Sequence, residues 1–95
     1  MTDIEAFKLV KEQMPIKEIC NVSVTDLGSQ YFITNNDGSI GGVIGEYLVD
    51  KKARLVREID FAEFVDIARQ IDKDEEESGI QHKPHMIIKK GVAIA

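Results

Sequence analysis

The spacing of apolar positions along the chain changes period twice. From Thr2 to Met14, Ile4, Phe7, Val10 and Met14 recur at three- to four-residue intervals, one face of a helix, leaving Lys8, Lys11 and Glu12 for water. Thr2 and Glu5 stand three apart, as in a capping box, where hydroxyl and carboxylate each satisfy an orphan N–H of the first turn. Pro15 ends this helix, because it lacks an N–H and biases Met14 toward extended dihedrals. From Ile16 to Thr25 the period falls to two. Cys20, Val22 and Val24 alternate with Asn21, Ser23 and Thr25, which predicts a first strand with one wet face. Asp26-Leu27-Gly28-Ser29 is turn composition, and Gln30–Thr34 follows as a second strand. Asp37-Gly38 and the glycines up to Gly42 form a longer loop. Val43–Val49 is then a third strand, Asp50-Lys51-Lys52-Ala53 a turn, and Arg54–Ile59 a short fourth strand.

The helical period returns at Asp60. Phe61, Phe64, Val65, Ala68 and Ile71 form its stripe, and Asp60 with Glu63 repeats the capping-box spacing. The run Asp72-Lys73-Asp74-Glu75-Glu76-Glu77 either prolongs this helix or frays, and Ser78-Gly79 ends it. Beyond Gln81, Met86-Ile87-Ile88 and Val92-Ala93-Ile94 either pair as strands or stay loose, so residues 73–95 are read as a partly flexible tail or an extra strand. The expected fold is a single α+β domain over residues 1–95. It has an N-terminal helix, a four-stranded antiparallel meander, and a second helix packed on the sheet.

Composition narrows the function classes. With 17 acidic against 12 basic residues, net charge −5 and a pI near 4.9, the chain lacks the basic balance of a nucleic-acid binder and suits a basic protein partner. The absence of tryptophan and an aromatic content of 6% argue against an aromatic-lined cavity. A single cysteine forms no intramolecular disulfide. The first residues carry acids rather than an apolar run, and no stretch nears the roughly 20 apolar residues of a membrane span, so a cytoplasmic protein is expected.

Candidate chemistry is sparse. Gly38, Gly41, Gly42 and Gly45 lead into a strand rather than a helix N-terminus, which favours a long hairpin with a bulge or packing glycine over a phosphate loop. His82 and His85 form a His-x-x-His pair, but Pro84 between them opposes joint presentation, and exposed tail histidines are the simpler expectation. Cys20 falls on the apolar side of the first strand and reads as a buried structural thiol. The acids Asp72, Asp74, Glu75, Glu76 and Glu77, placed where they oppose the helix dipole, are the leading candidates for partner binding. Asp37, beside an exposed Asn35-Asn36 at a loop tip, is a further candidate. No catalytic constellation assembles, and no cofactor or metal is expected.

Gln30-Tyr31-Phe32-Ile33-Thr34 as an aromatic strand, Tyr47-Leu48-Val49-Asp50-Lys51 as a strand closing on an Asp-Lys turn, and the strand Arg54–Glu58 before the helix Asp60–Ile71 resemble the YrhB-like immunity-protein family of bacterial polymorphic toxin systems. The resemblance spans residues 2 to 71. It departs from the family pattern in having no tryptophan and in reading Lys51-Lys52-Ala53 after Asp50, and it carries no binding residue onto this chain. It implies a short helix-then-sheet protein that binds and occludes a toxin. The expected function is therefore a non-catalytic protein-binding module. The alternatives are a homo-oligomer built on the apolar C-terminal segment, or a small metal- or thiol-dependent enzyme using Cys20, His82 and His85.

Overall fold

The computed structural model describes residues 1–94. Helix α1 (Asp3–Gln13) precedes strands β1 (Asn21–Asp26), β2 (Gln30–Asn36), β3 (Val43–Asp50) and β4 (Val56–Glu58). Helix α2 (Phe61–Ser78) and strands β5 (His85–Lys89) and β6 (Val92–Ala93) complete the chain. All pairings are antiparallel, in the order β4-β3-β2-β1-β5-β6. The expected meander is thus four strands of a six-stranded sheet. The C-terminal segment is not a loose tail: β5 lies against β1 on the meander's open edge. The acidic run prolongs α2 to Ser78, where Gly79 takes the left-handed conformation (φ 68°) that ends the helix.

One face of the sheet is closed by α1. The Thr2/Glu5 capping box is formed, and Ala6, Phe7 and Val10 pack onto Val22, Val24, Ile33 and Val49. Tyr31, Tyr47 and Ile87 complete this core. Ile87 enters it because the β1–β5 register shifts between Val22 and Ser23, leaving Ile87 as the extra residue of a bulge. Gly45 is a packing glycine: the Tyr47 hydroxyl lies where a Cβ at that position would stand.

Two side-chain amides explain why the strands differ from their predicted bounds. Asn35, expected at an exposed loop tip, is fully buried within β2. Its Oδ1 accepts from the Cys20 backbone N–H at 3.1 Å and its Nδ2 donates to the Glu18 carbonyl at 2.8 Å. A side chain there takes the place of a ladder partner, so β1 begins at Asn21 rather than Ile16. Gln13 does the same at the β4 edge. Its Nε2 donates to the Arg54 carbonyl and its Oε1 accepts from the Val56 N–H, both at 2.9 Å. This tie and a positive φ at Arg54 (56°) restrict β4 to three residues. Cys20 is accordingly half-exposed rather than buried, with its thiol donating to Glu18 Oε1.

Replacing Asn35 by alanine leaves both backbone groups without their partner in a site closed by packing. Asn35→Ala should lower the unfolding free energy by about 2 kcal/mol in urea titration. A loss below about 0.5 kcal/mol, the range of ordinary surface substitutions, would show that the clamp contributes little.

Candidate functional site

The other face of the sheet presents Ser23, Thr25, Phe32, Thr34, Glu46 and Leu48, the alternate positions of β1, β2 and β3. Helix α2 crosses this face but buries no residue fully. Phe64 and Ile67 pack on the small cluster Phe32, Leu48 and Ile59, together with Leu27. The Phe32 and Phe64 rings are in tilted contact, with centroids 6.0 Å apart and planes inclined by 40°. Ile67 belongs to the apolar stripe in place of Phe61, which is 77% exposed.

Toward β1 the helix and sheet part, leaving a cleft of about 410 Å³, within the usual size range of ligand sites. Ser23, Thr25 and Thr34 put hydroxyls on its floor. Phe32 and Phe64 make it partly aromatic, contrary to the expectation from composition. Asp72 and His82 also line it. Thr25 is only 6% exposed. Among the described residues none of the three hydroxyls hydrogen-bonds to a side chain, and no sealed side-chain polar atom lacks a partner.

His82 is not an exposed tail histidine: its side chain is 12% exposed. Gly79 turns the chain back so that His82 reaches Asp74, eight residues earlier. Its Nε2 lies 2.9 Å from Asp74 Oδ2 and its Nδ1 2.9 Å from the Asp26 carbonyl. Both partners can only accept, so both ring nitrogens donate and the ring is held as imidazolium. The Asp74 carboxylate, then the Asp26 carbonyl, raise the His82 pKa above its ordinary value. His82, and then Gln70, hold Asp74 below the ordinary carboxylate range. Lys51 bonds Asp26 Oδ1 at 2.6 Å while lying over the Tyr31 ring, so the β1–β2 turn is fixed from both sides.

The acidic candidates separate. Asp72, Glu75, Glu76 and Glu77 are exposed on the last turns of α2, whereas Asp74 is engaged by His82, the run's one ion pair among the described residues. Asp37 follows β2 at the end of the sheet remote from the Asp26 turn, and its Oδ1 accepts from the Ser39 N–H and hydroxyl. The fold therefore does not bring Asp37 to the run. The histidines also diverge: His85 pairs with Asp3 of α1, whereas His82 serves α2. No cluster of three metal-ligating side chains forms among the described residues. Cys20 lies at the opposite end of β1 from His82. The hydrogen bond to Glu18, then burial, push its thiol pKa up, the reverse of an activated nucleophile. No helix is long and apolar enough to cross a membrane among the described residues. The cleft hydroxyls escaped sequence reasoning, although the alternation had already placed Ser23 and Thr25 on the polar face of β1.

The His82–Asp74 tie has a defined pH window. A raised imidazole pKa gives stability that is complete below its ordinary 6.5 and lost as pH rises through the folded value. A lowered carboxyl pKa gives stability present above its ordinary 3.8 and lost as pH falls. The difference in thermal midpoint between the wild type and His82→Gln should be largest near about pH 5 and shrink toward about pH 9. A gap independent of pH over that interval would show that the ring is held without its charge.

No protein-family model, no curated protein and no solved structure matches the chain.

Proposed function

We propose that the chain is a non-catalytic protein-binding module of the immunity type, which occludes a basic partner with the acidic end of α2. The observation that carries this reading is the state of Asp72, Glu75, Glu76 and Glu77. They lie on an ordered helix, exposed, with no ion pair among the described residues. Carboxylates near a helix C-terminus oppose the macrodipole, and the last turn of α2 contains no basic residue to offset them. The fold gains nothing from that arrangement, whereas a rigid acidic ridge suits steering and register of a cationic surface. The resemblance of residues 2–71 to immunity proteins points the same way.

The test is affinity capture from the native cells with the wild type and with a variant carrying Asp72→Lys, Glu75→Lys, Glu76→Lys and Glu77→Lys. A stoichiometric partner of net positive charge should be recovered with the wild type. It should be lost with the variant and released by about 0.5 M salt, where the Debye length is only a few ångströms. The same partner held equally by both proteins, or no stoichiometric partner, would overturn the reading.

A further inference from the structure

The two contacts of His82 differ in what they join. Asp74, eight residues before it, belongs to α2, so that contact closes a local turn at the helix end. The Asp26 carbonyl, fifty-six residues before it, belongs to the sheet. The ring is therefore a bridge between the end of α2 and the β1–β2 turn, at 2.9 Å on each side. Among the described residues no other hydrogen bond or ion pair links residues 71–78 to the sheet. The bridge also borders the cleft, which His82 lines together with Ile71 and Asp72 of α2 and Thr25, the neighbour of Asp26.

A bridge between two acceptors needs two donors, and imidazole has two only while charged. The neutral ring keeps one N–H and turns a lone pair to its other partner. With the proton on Nε2 it stays on the Asp74 carboxylate and drops the Asp26 carbonyl. With the proton on Nδ1 it stays on the carbonyl and sets a lone pair against the carboxylate. Either tautomer leaves the helix end unjoined to the turn. We propose that His82 is a proton-operated latch: losing one proton unseats the last turns of α2 from the β1–β2 turn and opens the cleft between helix and sheet. A helix end released into water is marginal, and the acids of this one oppose its dipole, so the freed turns fray. Release stays at that end, because the start of α2 keeps its Asp60 cap and the Arg57–Glu63 pair, and β5 keeps its pairing with β1.

The charged groups around the ring are Asp72 and Asp74 of α2, Asp26 with Lys51 on its carboxylate, and Lys83, the next residue in the chain. Aspartate and lysine ordinarily titrate outside the range from about pH 5.5 to about pH 8.5, and imidazole within it. From β5, His85 is turned to Asp3 of α1. Asp74, then the Asp26 carbonyl, lift the His82 ring above its ordinary 6.5, so the latch is closed below that value and opens as pH climbs through the raised one. The inference does not depend on what the acids of α2 bind.

The test is amide exchange followed by NMR at about pH 5.5 and about pH 8.5, expressed as protection relative to the intrinsic rate at each pH. In the wild type, protection of the amides of residues 71–77 should fall about tenfold or more between the two, the loss expected for one hydrogen bond to a charged group. At both pH values it should stay below that of Val24 and Ile33, as local opening requires. In His82→Gln, neutral throughout and checked for a folded spectrum, it should be low at both. That variant retains His85, so a pH dependence owed to the other ring would survive in it. Protection of residues 71–77 that is independent of pH in the wild type would overturn the proposal, and this comparison needs no variant. So would the same fall with pH in His82→Gln, or protection of residues 71–77 equal to that of Val24 and Ile33, which would mean that the helix end opens only when the whole domain does.

Discussion

The chain between β4 and β5 must cross the sheet. β4 is one edge, β5 pairs with β1, and β3, β2 and β1 lie between them. That displacement is about 19 Å at the usual strand spacing, and the 18 residues of α2 reach about 27 Å. The helix is held chiefly at its two ends. Asp60 caps its start, accepting from the Glu63 N–H at 2.9 Å, while Glu63 bonds Arg57 of β4. At the far end Gly79 reverses the chain and His82 joins Asp74 to the β1–β2 turn. Between those ends, contact narrows to Phe64 and Ile67 on a three-residue cluster. A helix fixed at its ends and barely seated in the middle leaves a cleft beneath it, and its length leaves its acidic last turns in water.

The two faces of the sheet consequently do different work. The α1 face is a closed apolar core, with the buried Asn35 clamping the Glu18–Cys20 segment and the exposed Gln13 tying Arg54 and Val56 at the β4 edge. It supplies the stability a domain of this size needs. The α2 face carries hydroxyls, a partly buried carboxylate and a half-seated helix, features that add little to stability and favour recognition.

Local chemistry was legible wherever it was settled within a few residues. The Thr2–Glu5 capping box, the turn at Asp26–Ser29, the alternation of Val22 and Val24, and the stop at Ser78-Gly79 are all present as read. Features depending on distant partners were not. Asn35 looks like a turn residue until Glu18 and Cys20 lie beside it. His82 looks like a tail residue until the chain turns back onto Asp74. The strands β5 and β6 have too short a pattern to declare themselves without β1 as a template.

Native-state hydrogen exchange compares the two faces most directly. If α2 is held by its ends and α1 by burial, the amides of Phe64 to Ala68 will exchange through openings of distinctly lower free energy than those of Val24, Ile33 and Val10. Protection of α2 equal to that of β2 and α1 would contradict this, because it would mean that the second face is as tightly closed as the first and has no standing cleft to offer a partner.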